Sequence, residues 1–163
     1  MYEFGDGTQL TLATSRSFRL PPSETKAALD RCVARLTEAF PAAGGGFKLH
    51  LPGRAVAQLR PVPLRGSSAG DRTRLTGAIR SRRGFVSVPV EVETAPVSAG
   101  CSELVVRPVG PVCLRSGAPR RLFLRCSHPM ADFLCFETEI AALAAATAPA
   151  RRVARRTAQP VLA

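Results

Sequence analysis

A cysteine and a histidine stand two positions apart in the segment RCSHPM, as Cys126 and His128. We predict a strand over residues 119–128, and on a strand this spacing places both side chains on one face. A cysteine–histidine pair supplies either a nucleophile with its base or two metal ligands. The alternative interpretation is that Cys126 is a small buried apolar side chain, which is the usual role of a free cysteine.

A zinc site is the second chemistry that these residues suggest. Cys101 and Cys113 would complete a Cys3His ligand set together with Cys126 and His128. The spacings are long and irregular, however, and the sequence has no CxxC motif. We therefore predict no catalytic residue, no metal and no cofactor, and the sequence leaves enzymatic activity open.

Two carboxylates form a further candidate pair. Glu91 and Glu93 lie two positions apart on a predicted strand, and such pairs can divide acid and base roles when their environments differ. The alternative is a solvated sheet face whose carboxylates are balanced by nearby arginines. His50 alternates with apolar residues in FKLHLPG, so we expect it to face solvent.

The chain is strongly basic. Its 163 residues contain 23 Lys and Arg against 12 Asp and Glu, and the net charge is +11. An excess of this size predicts a weak, salt-sensitive anionic partner such as nucleic acid or anionic lipid. The alternative is that a GC-rich genome raises the arginine content. The compact clusters are Arg80, Arg82 and Arg83, and Arg151, Arg152, Arg155 and Arg156.

The spacing of apolar residues predicts the strands and helices that would position these residues. Residues 8–20 read as a first strand, which Pro21 and Pro22 end. A helix follows, with Ser23 as its N-cap, and Pro41 and the run of glycines at 44–46 end it. Its apolar stripe has the spacing of a helix buried on one face and comprises Ala28, Leu29, Cys32, Val33, Leu36 and Phe40.

The middle of the chain predicts an antiparallel sheet. Short strands are predicted at 47–53, 54–66 and 73–80. Valines alternate with polar residues from Val86 to Val92, and the alternation resumes at Leu104 and Val106 after a turn across residues 96–100. A terminal helix is predicted over 131–147, with Pro129 in its first turn. The apolar face of this ribbon is expected to pack against that helix.

This order of elements resembles the START-like, or helix-grip, superfamily, which includes polyketide cyclases, aromatase-like proteins and carriers of lipids or hormones. The features that carry the resemblance are the first strand, the LPPSET entry to a helix, the antiparallel run through 86–110 and the terminal helix. The resemblance covers about residues 10–147. It implies an α+β fold in which a curved antiparallel sheet packs on a C-terminal helix, with one N-terminal helix after the first strand.

The resemblance also implies an apolar cavity between the sheet and the last helix, and hence a binding module for a small hydrophobic molecule. Two alternatives stay open: a closed core with an arginine-rich surface that binds protein or nucleic acid, and a cyclase-like enzyme with His128 or a glutamate as proton carrier. The residues expected to line the cavity are Val90, Val92, Leu104, Val106, Phe123, His128, Phe133 and Phe136.

Organisation and location follow from length and composition. We predict one α+β domain over residues 1–147 and a disordered basic tail over 148–163. Five cysteines, the absence of a secretory leader and the absence of any long apolar run favour a cytoplasmic protein without a transmembrane segment. The oligomeric state is left open.

Overall fold

A computed structural model describes residues 12–66, 70–109 and 117–148 of the chain. A short 3-10 turn at Pro52–Arg54 joins the second strand to the third. The predicted basic tail and Cys113 lie outside the described residues, as does the start of the predicted first strand. The elements in chain order are β1 (Thr14–Phe18), α1 (Pro22–Ala39), β2 (Phe47–Leu51), β3 (Ala55–Val62), β4 (Arg74–Arg80), β5 (Ser87–Ser98), β6 (Cys101–Pro108) and α2 (Ala118–Thr147).

The six strands form one antiparallel sheet in the order β1-β6-β5-β4-β3-β2. The sheet curls into a half-barrel around α2, which contacts α1 and strands from one edge of the sheet to the other. The predicted α+β class is confirmed, with one helix after the first strand and a long C-terminal helix packed on the sheet. Strands β1 and β2 are the two edges.

The apolar alternation in β5 and β6 builds the inner face of this sheet. Val90 and Val92 are completely buried on that face, and Val92 pairs with Val106 across the two strands. Glu91 lies on the outer face, as the period of two requires. Strand β5 extends to Ser98, past the predicted start of the turn at residue 96, and a register shift accommodates the extra length.

Helix α1 has the predicted buried stripe as far as Leu36, whereas Phe40 lies past the end of the helix and is half-exposed. The predicted cap is wrong. The helix begins at Pro22, Pro21 occupies the N-cap position, and Ser23 lies inside the first turn. Proline suits the first helical position because its φ is already helical and its missing N–H would have had no partner there. The first helical hydrogen bond runs from the N–H of Thr25 to the carbonyl of Pro21 at 2.9 Å.

The predicted strand over 119–128 is wrong, because these residues form the first turns of α2. The helix begins at Ala118 and runs for 30 residues, so Pro129 lies in its interior rather than in its first turn. The residues that α2 buries recur at helical spacing, which explains why the segment cannot be a strand. They are Leu122, Phe123, Cys126, Ser127, Met130, Ala131, Leu134 and Thr138.

The hydrophobic core fills the concave side of the sheet. Its largest fully buried side chains include Phe47 from β2, Ile79 from β4 and Phe123 from α2. Two buried hydroxyl pairs cross this core: Thr14 with Ser127, and Thr25 with Ser102, each at 2.9 Å. Over the described ranges, no helix is both long enough and apolar enough to cross a bilayer.

Candidate functional site

An apolar groove runs along edge strand β2, between that strand and α2. Its volume is about 350 Å³, within the range of small-molecule pockets. The groove is open to solvent along the edge of the sheet. Its lining residues are Phe40, Lys48, Leu49, His50, Leu51, Pro52, Pro129 and Phe133.

The strand side of the groove has two kinds of lining. Leu49 and Leu51 are buried on the inner face of β2, whereas Lys48 and His50 are exposed on its outer face. Because β2 is an edge strand of the sheet, the groove contacts side chains from both faces of that strand. The site therefore combines an apolar floor with a cationic amine and an imidazole at its rim.

The two aromatic walls of the groove, Phe40 and Phe133, come from different helices: Phe40 follows the end of α1, and Phe133 lies on α2. Phe40 follows α1 directly, and its carbonyl accepts a hydrogen bond from the N–H of Lys48 at 2.9 Å, which fixes it beside β2. Its side chain is 51% exposed. On the other wall, Pro129 and Phe133 lie four positions apart and therefore on one side of α2. Phe133 is half-buried and packs against the core.

The structure disperses the eight residues that the sequence assigned to a ligand cavity. Five of them belong to the packed core and are almost fully buried: Val90, Val92, Leu104, Val106 and Phe123. Phe133 lines the groove, while His128 and Phe136 are exposed and do not. The other apolar residues of the groove, Phe40, Leu49, Leu51 and Pro129, were not among the eight. They share a position on or beside an edge strand, which depends on the order of the strands in the sheet and not on a local sequence pattern.

His128 lies in a polar cluster on another side of α2. Arg16 of β1 approaches its Nδ1 with Nη2 at 3.0 Å and donates from Nε to Asp132 at 2.6 Å. A guanidinium can only donate, so Nδ1 accepts and the imidazole proton sits on Nε2. In this tautomer Nε2 of His128 is a hydrogen-bond donor, which does not suit a general base.

The strand that would have placed Cys126 and His128 on one face is not formed, since the two residues lie on a helix. Two positions on a helix separate side chains by about 200°, and Cys126 is buried in the core while His128 is exposed. Burial raises the pKa of the Cys126 thiol, against a smaller lowering effect of Arg125. In the part of the chain that the structure describes, no three His, Cys, Asp or Glu side chains converge on a metal-sized site.

The paired carboxylates of β5 are engaged in ion pairs on the outer face of the sheet. Arg107 donates to Glu91 at 2.7 Å and to Glu93 at 3.3 Å. Glu93 also faces Arg72 and Arg74, at 3.4 and 3.5 Å. The balancing arginines expected from the sequence are present, although Glu93 is only 8% exposed rather than solvated. This network ties β4, β5 and β6 together.

Comparison with known proteins adds to this geometry. Neither a protein-family model nor a curated protein matches the sequence significantly. Solved structures match with low identity over most of the chain. A Mesorhizobium loti protein from a structural genomics programme is 15% identical, with a TM-score of 0.49, over 81% of this chain and 96% of its own.

Two further solved structures match over similar lengths. Ara h 8.0201 is 14% identical, with a TM-score of 0.47, over 83% of this chain and 98% of its own. A START superfamily protein from Mycobacterium smegmatis is 10% identical, with a TM-score of 0.37, over 83% of this chain and 95% of its own. The element order and the sheet curled around α2 are those expected of a helix grip. In fold, the chain resembles the START-like proteins.

Proposed function

We propose that this protein binds a small hydrophobic molecule in the groove between β2 and α2. The observation that carries the proposal is an apolar groove of about 350 Å³ at the edge of an otherwise filled half-barrel. Its walls are aromatic and aliphatic, so binding would be driven by removal of apolar surface from water. The core residues that the sequence assigned to a cavity do not line this groove.

The rim of the groove favours a ligand with an acidic or strongly polar end. Lys48 supplies a cationic amine, and His50 supplies an imidazole on the same face of β2. Among the described side chains that line the groove, none is acidic. An amphipathic molecule would bury its apolar part against Leu49, Phe133 and Phe40 and direct an anionic group towards Lys48.

Titration with the neutral dye Nile red, whose fluorescence rises in apolar surroundings, tests the groove itself. We expect saturable binding that weakens at least fivefold in Phe40→Ser and in Phe133→Ser, because each variant removes an aromatic wall. Phe136→Ser is the matched control, since Phe136 is 60% exposed on the same helix but lies outside the groove. Its affinity should stay within twofold of the unmodified protein.

Equal losses in the Phe40 and Phe136 variants would overturn the assignment to this groove, and unsaturable binding would overturn the proposal altogether. Because Phe40 is half-exposed, its substitution should leave the fold intact, and thermal unfolding of each variant verifies this. The rim is tested with Lys48→Gln and the anionic dye 1-anilinonaphthalene-8-sulfonate. Affinity for that dye should fall about threefold or more, while affinity for Nile red is retained.

The natural ligand can be sought by mass spectrometry of freshly purified protein under native and then denaturing conditions. A bound molecule of a few hundred daltons that is lost on denaturation, and that Phe133→Ser no longer retains, would identify the ligand. Retention of the same molecule by Phe133→Ser would place it elsewhere on the protein.

A further inference from the structure

Three parts of the chain meet at one end of the sheet. Because consecutive strands run in opposite directions, the β2–β3 turn and the β4–β5 loop emerge at the same end. The amino end of α2 lies beside both. The turn touches the helix, since a Cβ on Gly53 would lie 2.8 Å from Cζ of Arg125. The loop borders the helix as well, across a cavity of about 260 Å³. We call residues 52–54, 80–86 and 118–125 the basic pole.

The basic pole concentrates positive charge. None of its three segments contains an Asp or a Glu. Over the described residues its arginines form no ion pair, whereas those of the outer sheet face, such as Arg74 and Arg107, do. The positive end of the α2 dipole points the same way. The arginines of the pole, all but the half-buried Arg120 exposed, are Arg54, Arg80, Arg82, Arg83, Arg120, Arg121 and Arg125.

A phenylalanine side chain protrudes into solvent among the arginines of the basic pole. Phe85 is 86% exposed, more than any other large apolar side chain described. The loop that carries it is held by its own hydrogen bonds: Ser81 N–H donates to the Val86 carbonyl at 2.8 Å, and Gly84 N–H to the Ser81 carbonyl at 2.9 Å. The Ser81 hydroxyl also accepts from Val86 N–H at 3.2 Å. Phe85 is therefore presented to solvent by a structured loop.

We propose that the basic pole docks on an anionic lipid bilayer, with Phe85 inserted among the headgroups. Arginines near an anionic surface and a buried apolar side chain both add to interfacial binding. Single-stranded nucleic acid fits the surface less well, because such binding uses several stacking aromatics and the pole exposes only Phe85 among its described residues. The cavity between loop and helix is lined by three apolar residues and by Arg121, Arg125 and Ser81, whose donors suit a lipid phosphate.

Co-sedimentation with vesicles tests the charge of the pole. Vesicles of phosphatidylcholine with 30% phosphatidylglycerol should bind the protein at 0.1 M salt, and vesicles of phosphatidylcholine alone should not. The triple variant R80Q/R82Q/R83Q should lose about 100-fold in binding, since each basic residue at an anionic surface contributes roughly a factor of five. The matched control is R31Q/R60Q/R65Q, which removes the same charge from exposed arginines outside the pole and should change binding less than about threefold.

Insertion is tested by a single-tryptophan reporter, because the chain contains no Trp. Phe85→Trp should shift its emission to the blue when the anionic vesicles are added, and lipids brominated in their acyl chains should quench it. Phe136→Trp, on an exposed site of α2 away from the pole, should respond to neither. Phe85→Ser should weaken vesicle binding about tenfold.

Three results would overturn the proposal. The first is no binding to anionic vesicles. The second is an equal loss in the two triple variants, which would show attraction by net charge alone. The third is an oligodeoxythymidylate that binds the pole at 0.2 M salt and displaces the vesicles, which would assign the surface to nucleic acid. None of these readouts requires a ligand in the groove, so the test is independent of the proposed function.

Discussion

The guanidinium of Arg16 joins edge strand β1 to α2: its Nε donates to Asp132 Oδ1 at 2.6 Å, and its Nη2 lies 3.0 Å from His128 Nδ1. Arg16 lies on the inner face of β1, opposite Leu104 of β6, where an apolar residue would be expected. It stays half-exposed because β1 is an edge and the guanidinium can reach water past the helix. The contact closes one side of the half-barrel around α2.

This ion pair should contribute little to stability. The side chains of Arg16 and Asp132 are 35% and 61% exposed, and ion pairs of that exposure are worth about 0.2–1 kcal/mol. A double-mutant cycle with Arg16→Gln and Asp132→Asn, measured by urea unfolding, should give a coupling energy in that range that shrinks in 0.5 M salt. A coupling above about 2 kcal/mol, or one insensitive to salt, would contradict this account.

The tautomer of His128 should depend on the same arginine. With Arg16 present, nitrogen chemical shifts should place the proton on Nε2, because Nδ1 accepts the hydrogen bond from Arg16. In Arg16→Gln both tautomers should be populated. Asp132→Asn is the control, since it retains the guanidinium beside the ring. A proton on Nδ1 in the unmodified protein would show that the hydrogen bond is not made.

Gly77 in β4 should tolerate no side chain. A Cβ at this position would overlap the carbonyl oxygen of Gln58 on the neighbouring strand, so the two strands would have to separate. We expect Gly77→Ala to lower the free energy of unfolding by at least about 2 kcal/mol. Gly100→Ala is the matched control, since a Cβ there meets nothing within 4 Å, and its effect should be small. Similar stabilities for the two variants, measured by urea unfolding, would be inconsistent with the close approach of β3 and β4.

Three thiols should make the protein less stable in alkali. Burial raises the pKa of Cys32, Cys126 and Cys135, the last to about 12, helped by the carboxylates of Glu139 and Asp132. Above the ordinary value of 9.0, the unfolded chain releases thiol protons that the folded chain retains, so stability should fall from about pH 9 to pH 12. Urea unfolding at pH 8, 9.5 and 10.5 measures this decline, and Cys135→Ala should make it shallower.

The reactivity of Cys135 provides an independent measurement. At pH 8 its thiolate fraction is small, so alkylation by iodoacetamide, followed residue by residue with mass spectrometry, should be slow in the folded protein. Asp132→Asn and Glu139→Gln should each accelerate it, because each removes a charge that raises the thiol pKa. Glu103→Gln, on β6, should leave the rate unchanged. Rapid labelling of Cys135 before any of these substitutions would refute the pKa assignment.

Local periodicity predicted the elements whose pattern is continuous. The alternation around Val90 and Val92 specified which side of β5 faces the core, and the stripe through Leu29 and Leu36 specified the buried side of α1. Both are confirmed because burial of one face imposes a period of 2 on a strand and about 3.6 on a helix. Such patterns need no knowledge of the neighbouring elements.

The amino-terminal half of α2 was predicted wrongly for two local reasons. Leu122, Phe123 and Leu124 form a short apolar run, which a strand and a buried helix share. Pro129 then suggested a helix start, because a proline in a helix interior removes a backbone hydrogen bond. In this chain the helix continues through Pro129. The groove was missed because nothing local identifies β2 as the sheet edge.

Pro129 should reduce stability while it shapes the groove. Within α2 it lacks the N–H that would bond to the carbonyl of Arg125, and its ring forms part of the groove wall. Pro129→Ala should therefore raise the free energy of unfolding by about 1–2 kcal/mol, the helical gain being reduced by the greater freedom of the unfolded chain. The same variant should weaken Nile red binding about threefold, because the groove loses its ring.

Pro119→Ala is the matched control for this prediction. Pro119 lies in the first turn of α2, where its missing N–H would have had no helical partner, and it lies outside the groove. Its substitution should leave both stability and dye binding nearly unchanged. If Pro129→Ala gained stability but kept its affinity for the dye, the ring would not contribute to the groove. If Pro129→Ala instead lowered the free energy of unfolding, the packing of α2 would have to depend on the proline.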